Sequence, residues 1–343
     1  LKAAVIRAFG APEVLKTEEV EAPKVARGQV IVKVLAALVN RLDHYIRLGE
    51  IAADLPFPHI LGLDAVGEIA EVGDGVSRFK TGDRVIAMPG YPSDPSQFHI
   101  RPATSASSYV MRGLQLPGSY AQYISIPEEW VLADTTGLPV EQVAALPVPF
   151  LTSLRAVQIA AEVQNGQKIL VHAGGSATGM MSIQIARALG AQVATTVRSD
   201  ESARLAREAG ATLIINTRSE NFGDKLSAWT DGRGVDAAID SLGGSSFEAT
   251  IKAVKMQGII VAMGFMSGTE VKFNIRDFFF TQKQIRGALT ADIEDFQAWL
   301  PRIKKGEIKA SVDSTYPLEE AARAHEKVAN NSARGAVVLM PWS

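Results

Sequence analysis

The chain has 343 residues, with 35 Lys and Arg against 37 Asp and Glu and a formal charge of −2. That balance excludes a nucleic-acid binder working through a broad basic face, and equally a polybasic membrane anchor. A chain that is 47% apolar and 21% charged folds, and this one is long enough for two domains, while the absence of cysteine removes disulfides, thiolate nucleophiles and cysteine-ligated zinc together.

The start, LKAAVIRAFGAPEVL, has no long apolar core followed by a small-residue cleavage site, and no apolar run reaches the roughly 20 residues of a bilayer span. The expected location is the cytoplasm. Residues 1–130 are broken by Gly and Pro into short β-branched runs, GQVIVKVLAA, AVGEIAEVG, GDRVIAM and YAQYISI, which predict a β-rich domain with tight turns. A helix is predicted to open near Val140, in PVEQVAALPVPFLTSLRAVQIAAEV, with Pro147 breaking it once.

From Gln167 the pattern changes. KILVHAG reads as a strand, MMSIQIARALG as a helix, AQVATTVRS as a strand and ESARLAREAG as a helix ending at Gly210. ATLIINT, a helix through Asp224–Trp229, VDAAIDSLGG, a helical SFEATIKAVKMQG and the strand GIIVAMGF continue the alternation. Strands alternating with helices of about 10–15 residues specify a parallel sheet with crossovers. The first texture returns near Val271, and ARGAVVLMP reads as a strand that rejoins the first domain. The expected fold is α/β, with the αβ part inserted into the β-rich one. Residues 1–135 and 272–343 form the latter, and 136–271 the former.

Between the strand KILVHA and the helix stand Gly174, Gly175, Ser176, Ala177, Thr178 and Gly179. A pyrophosphate needs backbone amides at a helix N-terminus with no side chains in the way. Gly174 suits the tight turn and Gly179 a close helix–strand approach, although Ser176 replaces the middle glycine of the usual fingerprint. A glycine-rich turn alone is either a plain turn or a nucleotide site; the βαβ unit around it favours a dinucleotide. The second strand ends in Arg198 and Ser199 rather than a carboxylate. An arginine there is a partner for a 2′-phosphate, favouring NADP(H), or else a solvated surface residue.

Taken in order, KAAVIRAFGAPEVL, GQVIVKVLAALVNRLDHYIRLG, HILGLDAVGEIAEVG, FKTGDRVIAM, GSYAQYISIP, ALPVPFLTSLRAV, GGSATG, GRGVDAAIDSLGG and RGAVVLMP cover nearly the whole chain. In this order and spacing the sequence resembles the medium-chain dehydrogenase/reductase superfamily, in its zinc-free quinone oxidoreductase-like branch. The resemblance implies a GroES-like catalytic domain made from both chain ends, a Rossmann doubly wound parallel sheet between them, and a homodimer through the Rossmann domain around residues 255–275.

Zinc-dependent relatives place Cys where Asn40 stands, Gly-His-Glu where Gly62-Leu63-Asp64 stands, and a third ligand within Val148–Phe150. Leu63, Val148 and Phe150 cannot coordinate zinc, and Asn40 is a poor ligand for it. Many also carry a structural lobe with C-x2-C-x2-C-x7-C spacing, which Ser93, Ser96, His99 and Ser107 reproduce without its ligands. His44, His59, His172 and His325 lack metal-ligand spacing and are expected to be structural.

Asn40, Asp43 and Tyr45 stand at the expected nicotinamide pocket; by the same resemblance Asn40 and Tyr45 line the substrate space and Thr152 packs on the nicotinamide. Asn40 and Tyr45 can donate to a carbonyl oxygen as charge develops, with Asp43 orienting its neighbours; the plainer reading makes Tyr45 a packed aromatic. Asn216, Asp240, Gly264 and Phe265 at strand ends, and Arg334 near the C-terminus, complete the expected cofactor set. Asn216-Thr217 and Ser202 depart from the Asn-Tyr and Lys of NADPH-type relatives.

The expected activity is NADPH-dependent, metal-free hydride transfer to a quinone or an activated C=C bond of an enone or alkenal. Its rivals are a zinc-free carbonyl or alcohol oxidoreductase and a catalytically weak NADPH-binding sensor or scaffold. The expected partner is a small-molecule substrate, with no membrane and no nucleic acid.

Overall fold

The computed structural model describes all 343 residues, Leu1–Ser343. In chain order, the first part contains β1 (Lys2–Ile6), β2 (Lys16–Glu19), β3 (Gln29–Leu38), α1 (Arg41–Leu48), β4 (His59–Ile60), β5 (Ala65–Val72), β6 (Arg84–Ala87) and β7 (Gly90–Pro92). It continues with β8 (Tyr109–Met111), β9 (Tyr123–Pro127), β10 (Val131–Ala133), α2 (Val140–Ala144) and α3 (Pro147–Leu154). Pro147 opens α3, where a missing N–H costs nothing, and the chain runs on as a π-helical segment over Arg155–Ala160.

The alternating part follows: β11 (Lys168–Val171), α4 (Ala177–Ala188), β12 (Gln192–Val197), α5 (Asp200–Ala209), β13 (Leu213–Asn216), α6 (Phe222–Trp229), β14 (Val235–Asp240), α7 (Gly244–Ala253), β15 (Val254–Ala262), α8 (Ile275–Thr281) and β16 (Gln284–Gly287). The chain ends with α9 (Ile293–Lys304), β17 (Val312–Pro317), α10 (Ala321–Ala329) and β18 (Ala336–Met340).

Two compact units result, Leu1–Val148 with Asp292–Ser343, and Pro149–Ala291. In the first, β1 pairs antiparallel with β2 and β4. A seven-stranded sheet runs β10-β6-β5-β3-β18-β17, with β9 also on β3. Strand β18, from the chain's end, lies antiparallel to β3, as Val338 opposite Leu38 shows. The second unit is a parallel sheet ordered β13-β12-β11-β14-β15-β16. Its core joins Leu170, Ala194, Ile215, Ala238 and Ile260 from the strands to Leu226, Phe247 and Ile251 from the helices.

The unit boundaries fall later in the chain than 135/136 and 271/272. Helix α2 packs on β3 and β5 and so belongs with the first unit, while β16 adds the sixth strand of the second. The helix expected to run to Gly258 stops at Ala253, and β15 starts at Val254. Residues 255–258 bulge between the pairs Val235–Val254 and Ala237–Ile259. Gln257 there has φ 60°, and a Cβ on Gly258 would stand 2.4 Å from Val254 Cγ1. A helical pattern is overridden by sheet pairing. No helix is long and apolar enough to cross a membrane.

Candidate functional site

Helix α1 is built around a buried polar cluster at its N-terminus. Asn40 caps it in extended conformation: its side chain accepts from the Asp43 amide, and its own amide donates to Asp43 Oδ2 at 2.8 Å. Asn40 Nδ2 donates to Asp64 Oδ2 at 2.5 Å, and Val148 N donates to Asp64 Oδ1 at 2.8 Å. Asp43 Oδ1 accepts from Gly62 N at 3.1 Å, and Oδ2 also accepts the Tyr120 hydroxyl at 2.9 Å.

Gly62 is required here, because its φ is +104° and a Cβ would lie 2.5 Å from both the Ser119 hydroxyl and the Tyr120 ring. Both carboxyls are wholly buried. Burial pushes Asp43 up to about 7 and Asp64 up to about 8, against the pull of the hydrogen bonds they accept.

Further along α1, buried Arg47 donates to His325 Nδ1 at 3.2 Å, to His44 Nδ1 at 2.8 Å and to the Gly10 carbonyl. A guanidinium donates only, so both imidazoles accept through Nδ1 and carry their proton on Nε2. Burial, then the Arg47 charge, drives His325 down to about 3. Its ring lies edge-on to Tyr120, centroids 5.6 Å apart. Tyr45 is half-buried on the same helix, its ring 5.5 Å from that of His44. His59 bonds the Gly113 carbonyl at 2.9 Å.

Asn40 and Asp43 therefore come together as expected partners, joined by Asp64 and Tyr120, which were not expected as site residues. Asp43 is sealed in, so it positions Asn40 and cannot touch a substrate. The donor set does not fit zinc: Leu63 is a buried aliphatic, Val148 offers an amide already donated, and both Asp64 oxygens are engaged. No group of three His, Cys, Asp or Glu is arranged to hold a metal ion.

The loop with lobe-like spacing is held by amide and hydroxyl. Gln97 Oε1 accepts from Ser108 N at 3.1 Å, Gln97 Nε2 donates to Ser107 Oγ at 2.9 Å, and Ser93 Oγ donates to the Ser108 carbonyl at 3.0 Å.

In the second unit Ser176 caps α4, its Oγ accepting from Gly179 N at 3.0 Å. The Ala177 and Thr178 amides stay at the open first turn, where an anion is held. The glycines serve packing rather than φ. A Cβ would lie 2.2 Å from Thr195 Oγ1 at Gly174, 2.6 Å from Ser202 Cβ at Gly175 and 2.2 Å from the Ala173 carbonyl at Gly179. The left-handed residue is Ala173, φ 53°; no glycine of the run takes that role. Ser153 Oγ donates to the Thr178 carbonyl at 2.9 Å, tying α3 to α4 beside half-buried Thr152. The turn fits a dinucleotide.

Ser199 caps α5 through Ser202 N. Asn216 Oδ1 accepts from Arg218 N, and Gly264 abuts the Ser241 carbonyl, which a Cβ would approach to 2.6 Å. Phe265 is exposed. Asp240 is wholly buried, with Oδ1 accepting Leu242 N and Gly243 N at 2.8 Å each, so it shapes a turn instead of meeting a ligand. In the first unit, the Arg334 guanidinium folds back on the carbonyls of Asn331 and Ala333. Arg218 was not anticipated. Val197 pairs with Asn216, so exposed Arg198 and Arg218 follow adjacent strand ends, and neither is ion-paired.

Residues 26–136 match the family model described as alcohol dehydrogenase GroES-like domain, and 177–305 the one described as zinc-binding dehydrogenase. The quinone oxidoreductase of Rattus norvegicus is 31% identical over 340 residues, covering 97% of this chain and 95% of the relative. The chain belongs to the medium-chain dehydrogenase/reductase superfamily. Within that superfamily it is quinone oxidoreductase-like, and it is an NAD(P)-dependent oxidoreductase. The quinone oxidoreductase of Pseudomonas aeruginosa is 30% identical, covering 97% of this chain and 98% of that one. A crystal structure titled NAD-dependent alcohol dehydrogenase superposes with a TM-score of 0.93 at 32% identity, covering 99% of each chain.

Proposed function

We propose that this medium-chain reductase transfers hydride from NADPH, without a metal, to a quinone or to the activated C=C bond of an enone or alkenal. The observation that carries the reading is Asn40 clamped between two buried carboxyl groups, at the position where a zinc-dependent relative has a ligand. A bound nicotinamide supplies the hydride. Asn40 Nδ2 spends one hydrogen on Asp64; the other, with the Tyr45 hydroxyl, is a donor for an oxygen gaining charge. Tyr45 or water delivers the proton, and orientation does the rest. Arg198 and Arg218 hold the 2′-phosphate, and Glu201 in the first turn of α5 is paired with Arg204 at 2.6 Å.

Mixing the protein with NADPH or NADH and a panel of quinones, enones, alkenals and aldehydes tests this. Dinucleotide consumption with the first three and little with aldehydes is expected. Preference for aldehydes with NADH would favour the carbonyl/alcohol reading, which the 32%-identical alcohol dehydrogenase neighbour supports; tight binding without turnover would favour a sensor. Tyr45→Phe and Asn40→Ala are each expected to lower kcat by about 10- to 100-fold while leaving the NADPH dissociation constant unchanged.

The homodimer is proposed through the second unit. Strand β16 is a sheet edge, and Ile275, Phe279, Phe280 and Leu289 around it are 64–71% exposed, an apolar surface of the kind that marks association. Phe279→Asp with Phe280→Asp is expected to halve the mass measured by light scattering.

A further inference from the structure

The hydrogen bonds beneath the phosphate-binding turn form one directed run. His172 is buried at the end of β11, with Nδ1 2.9 Å from Thr196 Oγ1 and Nε2 2.8 Å from Thr250 Oγ1. Thr196 Oγ1 also accepts from Ala173 N at 3.2 Å. Thr250 Oγ1 lies 2.8 Å from Asp240 Oδ2 and 3.2 Å from the Ser246 carbonyl. Each threonine has a single proton.

The Thr250 proton goes to the nearer, charged acceptor, Asp240, so His172 must donate to Thr250 from Nε2. Burial favours the neutral ring, against the Asp240 carboxylate 3.7 Å from Nε2, so Nδ1 is bare and takes the Thr196 proton. The run therefore reads Ala173 N–H to Thr196, Thr196 to His172, His172 to Thr250 and Thr250 to Asp240. Asp240 also gathers the Leu242 and Gly243 amides.

Its position in the sheet gives the run a use. Strand succession departs in opposite directions from β11 and β14, and dinucleotides bind at such a reversal beyond the strand ends. One end of the run holds left-handed Ala173, which starts the turn after β11; the other holds the turn after β14. We propose that His172 is a positioning residue for the dinucleotide: its Nε2–H tautomer couples the two turns across the reversal and sets their spacing. The proposal rests on nicotinamide binding by this unit and is independent of the choice between NADPH and NADH.

The test uses the full chain, with NADPH and NADH titrated by fluorescence, steady-state kinetics and thermal unfolding. His172→Phe is expected to weaken the better-bound dinucleotide at least about tenfold at temperatures well below its melting point. Its KM for that dinucleotide should rise while kcat at saturation stays within about twofold. His172→Gln, which keeps one donor, should recover part of the affinity. Thr250→Val, which cuts one link at nearly constant volume, should weaken binding if His172→Phe fails to fold.

Nitrogen NMR of the wild-type imidazole should show a neutral ring protonated at Nε2. A folded His172→Phe or Thr250→Val with wild-type dinucleotide affinity, or a wild-type ring protonated at Nδ1, would overturn the proposal. A wild-type protein that binds neither dinucleotide would instead overturn the cofactor reading beneath it.

Discussion

Asp64→Asn is expected to flatten the dependence of stability on pH. In the unfolded chain the Asp64 carboxyl ionises near its ordinary 3.8, whereas in the folded protein burial holds it up to about 8. Well below pH 3.8 it is protonated in both states. As pH rises from there the unfolded chain releases the proton and the folded chain keeps it, so stability falls by about 1.4 kcal/mol per pH unit for this group until the folded value is passed. Asp43, raised to about 7, adds a decline of the same sign over a slightly narrower window.

An asparagine at position 64 can still accept from Val148 N through its oxygen, but its NH2 faces that of Asn40, so the variant loses about 1–3 kcal/mol at low pH. It should then cross above the wild type between about pH 4.5 and pH 6, where the decline of the wild type through this group matches that loss, and gain on it up to pH 8. Urea unfolding at unit steps from pH 5 to pH 8 measures both slopes. Parallel slopes would show that Asp64 is ionised throughout.

Removing both exposed strand-end guanidiniums has the second large effect. Charge-assisted bonds to a phosphate contribute about 1.5–3 kcal/mol each, so Arg198→Ala with Arg218→Ala is expected to weaken NADPH by about 100-fold or more. NADH has no 2′-phosphate and should bind both proteins alike. Titration with 2′,5′-ADP and 5′-AMP isolates the same group without the nicotinamide. Equal affinity of the wild type for NADPH and NADH would remove the assignment of both arginines. A normal preference in Arg218→Ala alone would leave it to Arg198.

The parallel sheet, the inserted topology and the α4 turn were legible because each rests on local pattern: apolar strands, helical spacing, a serine cap. What escaped sequence reading depends on distance along the chain. Asp64 meets Asn40 from 24 residues away and Tyr120 meets Asp43 from 77, and no spacing rule reports such contacts. Asp240 sits at the strand end where a ligand-facing residue was expected, yet Thr250 and two turn amides enclose it. Ala173 shows the limit most clearly. Three glycines nearby invite the assumption that one of them takes the left-handed conformation, but their hydrogens are needed against Thr195, Ser202 and Ala173 itself, and the strain falls on the alanine.

The loop closed by Gln97 and Ser108 has a chemical consequence. Quinones and enones are electrophiles that alkylate sulfur nucleophiles, and a lobe stapled by thiolates and a metal is open to alkylation by its own enzyme's substrates. Here the staple is a side-chain amide between hydroxyls, in a chain without a single thiol. Soft electrophiles of that kind find no cysteine to alkylate in this chain, and an oxidant finds no thiol to convert.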